Sequence, residues 1–221
     1  PLGGRALGRA DAVVAVSEWE RERLAADFGV EATVVPNGVD TRFVDARGRS
    51  DPDRDRPYLL CVGRLVAYKG VDRAIRALAA LPDHDLVVAG RGPHRDALAT
   101  LARETGVDDR VTFAGYVDDD DLVGLYADAS AHLALSSVEA YGLTVGEAVA
   151  TGTPAVVYAA RGLRDWATRE DCVAVSDRSP RAIAEAVHEA TALDAPSRPV
   201  PTWDECAAGV AAVYDDVTRL P

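Results

Sequence analysis

One lysine, three cysteines and no methionine are found in this 221-residue chain, against 23 arginines. The scarcities exclude a good deal. Cys61, Cys172 and Cys206 are far apart and odd in number, which argues against a disulfide framework or a cysteine metal site. Cys61 and Cys172 sit inside strand-like apolar runs, so they read as buried free thiols, which suits a reducing compartment. No apolar run approaches the roughly 20 residues of a membrane span. The opening residues PLGGRALGRADAVV lack the apolar stretch of a signal peptide and a starting Met, so a fragment or a trimmed chain is expected. Aromatics make up 6% and hydrophobic residues 48%, which predicts an aliphatic core. Basic residues are outnumbered, with a net charge of −12, so nucleic acid is excluded as a nonspecific partner. Two readings of that charge stay open: a surface suited to high salt, and a GC-rich genome that favours Arg, Ala, Gly and Asp codons. Neither G-x-G-x-x-G nor G-x-x-x-x-G-K-[ST] occurs, which argues against NAD enzymes and ordinary NTPases. There is no low-complexity tract and no internal repeat.

What is present alternates between two patterns. Short continuous apolar runs predict strands over Ala12–Val16, Thr33–Val35, Tyr58–Val62, Leu86–Ala89, Val111–Phe113, His132–Leu135, Ala155–Tyr158 and Val173–Val175. Their Val- and Leu-rich continuity is that of strands buried on both faces of a parallel sheet. Helical periodicity fills the gaps over Val71–Leu81, Arg95–Thr105, Asp119–Ala127, Leu143–Ala150 and Arg181–Thr191. The alternation predicts a doubly wound α/β domain. Three parts are expected: residues 1–45, a strand–helix–strand unit too small to stand alone; the main domain, 46–198; and a C-terminal helix, 199–221. Ser50–Pro57 reads as the surface entry to the main domain and Pro196–Pro201 as a proline-rich break before that helix. Thr202 followed by Glu205 is a capping-box pattern at its start.

Ligands of open α/β sheets sit beyond the carboxyl ends of the strands. Four predicted strand ends carry suggestive residues. Gly63, Arg64 and Lys69 follow the first, Gly90 and Arg91 the second, and Tyr116 and Val117 the third. Glu139, Tyr141 and Gly142 follow the fourth, ahead of a helix that starts at Leu143 and Thr144 and holds Glu147. Small residues let a ligand approach the backbone, and a helix N-terminus with two nearby cations suits phosphate. The plain alternatives are turn geometry for the glycines, a solvated surface charge for Lys69 and a salt-bridged helix face for Glu147.

The order of GRLVAYKG, AGRGP, FAGYV and EAYGLTVGEAVATGTPAVV resembles glycosyltransferase family 4, retaining enzymes of two-Rossmann-domain (GT-B) architecture. VSEWERERL, VVPNGVD and TWDECAAGVAAVYDD are similar to that family too, so the resemblance runs over nearly the whole chain. It implies a Rossmann-like parallel sheet flanked by helices, the C-terminal donor-binding half of such an enzyme. The activity implied is transfer of a sugar from a nucleotide-diphosphate-sugar to an acceptor glycan or glycolipid. By resemblance, Arg64 and Lys69 hold the diphosphate, and Glu139 accepts the donor sugar hydroxyls. The backbone of Gly142, Leu143 and Thr144 meets the diphosphate, with Gly63 and Tyr141 beside it. Glu147 accepts the ribose hydroxyls. Gly90, Arg91, Tyr116 and Val117 frame the base. No metal or other cofactor is expected.

Further expectations follow from the same resemblance. The partner is an N-terminal acceptor domain or a separate chain that supplies a histidine, and none of His84, His94, His132 or His188 stands in that histidine's place. The location implied is cytoplasmic, at the inner membrane face. One departure is visible: Arg161-Gly162-Leu163-Arg164-Asp165 stands where the family has a Gly-rich turn followed by Pro-Glu. The rival reading is a stand-alone nucleotide-sugar binding module, inactive or completed by a partner chain. A sugar-nucleotide epimerase is disfavoured by the E-x₇-E element.

Overall fold

A computed structural model of the chain describes residues 7–47, 56–193 and 199–219. Most of the expected entry segment, residues 50–55, and residues 196–198 of the proline-rich break lie outside the described residues. Six strands form one parallel sheet: β3 (Tyr58–Val62), β4 (Asp85–Ala89), β5 (Val111–Gly115), β6 (Ala131–Ala134), β7 (Ala155–Tyr158) and β8 (Cys172–Val175). Their order is β5-β4-β3-β6-β7-β8. The chain winds outward from β3 to β5, then returns to the middle and winds the other way from β6. The topological switch point therefore lies between β3 and β6.

Side chains alternate across the pleat, so a parallel sheet needs cover on both faces. Leu59 and Cys61 of β3 join one core with Leu86, Val88 and Leu133. That core is closed by α3 (Val71–Leu78), α4 (Arg95–Glu104) and α7 (Pro180–Ala190). Tyr58 and Leu60 face the other side, under α5 (Asp119–Asp128) and α6 (Leu143–Thr151). The aliphatic core expected from composition is found, with Leu60, Ile75, Leu86 and Ile183 wholly buried. Cutting such a leucine to alanine costs about 2–5 kcal/mol. The two buried thiols, Cys61 and Cys172, are free, and burial pushes Cys61 up to about 12.

Three expectations are corrected. β5 is not buried on both faces: it is an edge strand, with Thr112 and Ala114 exposed. The predicted helix to Leu81 stops at Leu78, because Pro82 disfavours the α conformation in the residue before it and the chain has already turned. The two N-terminal strands are only β1 (Val14–Ala15) and β2 (Thr33–Val34), paired with each other and not with the main sheet.

Between β1 and β2 runs α1 (Glu18–Phe28), capped by Ser17 and closed by Gly29 in the left-handed conformation. A short α2 (Thr41–Asp45), not expected from the sequence, begins at the Asp40 cap. As expected, this N-terminal unit packs on the main domain. Arg42 reaches Asp119 and Asp120 at the start of α5. α8 (Trp203–Thr218) begins with the predicted capping box between Thr202 and Glu205. Its start is tied to the N-terminal unit by a parallel bridge from Thr202 to Val39.

Candidate functional site

The strand ends on either side of the switch point converge. After β3 the chain makes a 3₁₀ turn, Ala67–Lys69, closed by Gly70 with φ 75°. That turn folds Lys69 back over Gly63: a Cβ built on Gly63 would lie 3.6 Å from Lys69 Nζ. After β6 comes the loop carrying Glu139. Lys69 Nζ donates to Glu139 Oε1 at 2.5 Å, with both side chains 21% exposed. The two loops are also joined by the backbone, Ser137 N–H donating to Tyr68 C=O at 2.8 Å. Arg64 is exposed at the rim and donates from Nη2 to Tyr68 Oη at 2.6 Å. A cleft at this point is lined by Gly63, Arg64, Lys69, His132, Glu139 and Thr144, among others.

The neighbouring strand ends leave no room for side chains. Gly90 has φ 137°, and a Cβ there would fall 1.9 Å from Gly63 O. Gly63 N–H donates to Ala89 C=O and Gly90 N–H to Gly115 C=O, so three strand ends stack backbone on backbone. Beyond them Arg91 lies over the ring of Tyr116, 5.5 Å from its centroid, and both are exposed. Val117 packs, half-buried, against the core under α5.

Gly142, at φ 94°, turns the chain into α6. The first backbone N–H groups of a helix have no intrahelical acceptor, and those of Leu143 and Thr144 are at that end. Tyr141 does not offer its ring to the cleft. The ring is buried edge-on against Trp166, 5.3 Å between centroids, and burial pushes its hydroxyl up to about 12. Glu147 is not the salt-bridged carboxylate of the plain reading. Among the described residues no cation pairs with it; Tyr126 donates its hydroxyl to Glu147 Oε2 at 2.7 Å. Burial raises the Glu147 carboxyl to about 7, against the lowering by the Tyr126 hydrogen bond, with Asp119 adding a smaller rise.

Sequence reasoning missed His132 as a member of this site. Its ring is buried, and Nδ1 lies 3.1 Å from Leu60 O. A carbonyl only accepts, so Nδ1 carries the proton and Nε2 presents a lone pair, which has no hydrogen-bond partner. Burial first, then the charge of Lys69, hold the ring neutral, down to about 4, against the opposing pull of Leu60 O. The one available signal was a histidine inside the apolar run His132–Leu135.

Fold and site together define a doubly wound α/β protein whose switch-point cleft gathers one lysine, one rim arginine and a helix N-terminus, faced by a carboxylate. The chain belongs to the family described as "Glycosyl transferases group 1", whose model matches residues 44–198; that described as "Glycosyltransferase Family 4" matches residues 1–43. It is 34% identical over 243 residues to a "GDP-mannose-dependent alpha-(1-6)-phosphatidylinositol monomannoside mannosyltransferase" of Mycobacterium tuberculosis, covering 95% of this chain and 63% of the relative. To the "Glycogen synthase" of the same species it is 36% identical over 163 residues, covering 69% of this chain and 38% of that one. The chain thus spans less than two thirds of the length of these relatives. Among solved structures, sucrose-phosphate synthase from Thermosynechococcus elongatus superposes with a TM-score of 0.83 at 25% identity, over 98% of this chain and 61% of that one. Among the described residues no helix is long and apolar enough to cross a membrane.

Proposed function

We propose that this chain is the donor-binding part of a retaining glycosyltransferase that takes its sugar from a nucleoside diphosphate-sugar. The observation that carries the reading is the meeting of Lys69 and Glu139 across the switch point, next to the N-terminus of α6. A diphosphate between β3 and α6 would lie against Lys69, Arg64 and the N–H groups of Leu143 and Thr144. Glu139 would take hydroxyls of the sugar beyond it, and Glu147 those of the ribose. Gly90 and Gly63 would admit the nucleoside against bare backbone, with Arg91, Tyr116 and Val117 at its edge.

The chemistry follows from charge. As the bond from the sugar C1 to the diphosphate oxygen breaks, negative charge grows on the leaving diphosphate. Lys69, Arg64 and the helix terminus are fixed before the reaction and gain strength as that charge develops, so they stabilise the transition state more than the ground state. In this reading no metal is needed for the leaving group. The acceptor, a glycan or glycolipid, would be held by an N-terminal acceptor domain or a partner chain, at the cytoplasmic face of a membrane.

The test is thermal shift on the chain with GDP, GDP-mannose, UDP and UDP-glucose, the first pair being suggested by the name of the mannosyltransferase relative and the second differing in base and sugar. A ligand that binds only the folded state at 100 times its Kd adds about 2.7 kcal/mol. At least one pair should raise Tm by several degrees, and no change with any of the four overturns the reading.

A further inference from the structure

The loop that carries Glu139 is gripped by three consecutive carbonyls. Glu139 C=O accepts from Gly162 N–H at 3.0 Å. Ala140 C=O accepts from Ser17 Oγ at 2.7 Å. Tyr141 C=O accepts from Trp166 Nε1 at 2.7 Å. Two of the three donors come from the Arg161–Trp166 turn of the main domain. The third comes from the N-terminal unit, 123 residues away in sequence.

Ser17 is 2% exposed and serves two partners at once. Its Oγ caps α1 by accepting from Glu20 N–H at 3.1 Å, and its hydroxyl proton goes to Ala140 C=O. Glu20 returns a bond to Val16 N–H at 2.9 Å, so the serine is itself held from behind. The same turn that grips Glu139 seats the rest of α1. Asp165 accepts from Glu18 N–H at 2.8 Å, Arg164 pairs with Glu22 at 2.6 Å, and the Arg161 guanidinium lies 5.5 Å from the centroid of Trp19. Arg161 has φ 53°, the one non-glycine residue of positive φ among those described. Gly162 approaches so closely that a Cβ would lie 1.9 Å from Ala140 O. A strained, closely packed turn persists where its surroundings over-determine it, and here they are α1 on one side and residues 139–141 on the other.

We propose that Ser17 is a positioning residue for Glu139: through Ala140 it fixes where the carboxylate stands, and so couples donor-sugar recognition to the seating of the N-terminal helix. The departure of residues 161–165 from the family pattern then has a purpose. Its charged side chains, Arg161, Arg164 and Asp165, are the ones that dock α1. The proposal rests on the reading of Glu139 as the sugar-facing carboxylate, and its test separates the two.

Ser17→Ala removes both the cap and the strut. Ser17→Gly loses the same hydroxyl, but glycine is nearly as good as serine at a helix start, so α1 keeps most of its stability and the loss is chiefly that of the strut. Ser17→Thr keeps both. Affinities of the whole chain for GDP against GDP-mannose, and UDP against UDP-glucose, are measured by titration calorimetry. In Ser17→Gly the preference for the sugar-bearing member should fall about fivefold, the worth of one ordinary hydrogen bond, while sugar-free nucleotide binds within about twofold of the parent. Ser17→Thr should restore the preference. An unchanged preference in a folded Ser17→Gly chain overturns the proposal. A readout without ligand comes from the single lysine, whose side-chain ¹⁵Nζ resonance is unambiguous. Ser17→Gly should move it toward its position in Glu139→Gln. A resonance identical to the parent's overturns the strut even if no nucleotide binds, and absence of all nucleotide binding with a moved resonance overturns only the functional reading.

Discussion

Lys69 Nζ and Glu139 Oε1 stand 2.5 Å apart although the residues are 70 positions apart in sequence. The pair places the one ammonium of an arginine-rich chain between Gly63 and a carboxylate, a position for a compact point charge where a planar guanidinium has a different reach. Lys69→Ala should weaken nucleoside diphosphate binding by about 10- to 100-fold, the loss of one charge-assisted hydrogen bond. Thermal stability should change little, because partly exposed ion pairs are worth about 0–1 kcal/mol. Lys69→Arg should fall between. Calorimetry finding all three within twofold would return Lys69 to the status of a surface charge.

Glu139→Gln separates phosphate from sugar. The carboxylate offsets the Lys69 charge and repels a phosphate beside it, so its removal should tighten sugar-free nucleotide several-fold, on the scale of a nearby like charge. The sugar-bearing nucleotide should gain less or lose, since a charged acceptor of its hydroxyls is gone. Parallel changes for both ligands would argue against Glu139 facing the sugar.

Half-buried Glu147 and buried His132 should oppose each other in acid. Glu147, raised from about 4.5 to about 7, contributes stability that is complete below pH 4.5 and lost as pH rises through 7. His132, lowered from about 6.5 to about 4, contributes stability present above pH 6.5 and lost as pH falls through 4. Glu147→Gln keeps an acceptor for Tyr126 and removes only the carboxyl titration. Relative to the parent, it should gain on the order of 2 kcal/mol from pH 5 to pH 8, within the scale of 1.4 kcal/mol per pKa unit. Unfolding midpoints of the two proteins that run parallel over that range would contradict the half-buried, cation-free state of Glu147.

Gly90→Ala tests the stacked strand ends. With φ 137° and Gly63 O only 1.9 Å from the new Cβ, the substitution forces β3 and β4 apart at the cleft floor. Backbone strain of this kind costs about 1–3 kcal/mol before the clash is added. Both Tm and nucleotide affinity should fall, and a variant as stable as the parent would mean the approach is looser than the structure has it.

The sheet was legible because its strands are buried on both faces: continuous Val/Leu runs such as Tyr58–Val62 have few other uses. β5 was misread as fully buried, since being at an edge depends on strand order and five residues do not encode their neighbours. The short α2 went unseen because five residues show too little periodicity, and only the Asp40 cap marked it. Glu147 was singled out by its place in E-x₇-E, but its hydrogen-bond partner Tyr126 was not, 21 residues away on another helix. His132 carried no motif at all, and its unpaired Nε2 exists only because β6 is covered from both sides.

By itself, then, the sequence determined the alternation of strands and helices, the glycines that bare the strand ends, and the residue types of the candidate cleft. Those follow from local chemistry: hydrophobic period, capping residues and positive-φ turns act within a few positions. Which residues meet was decided only by the tertiary structure. β3 lies beside β6, and not β5, because the winding reverses there, and that reversal sets Lys69 against Glu139. The seating of α1 puts Ser17 under Ala140 by the same kind of long-range packing, which joins surfaces through their shape and buried polar groups rather than through any spacing in the chain.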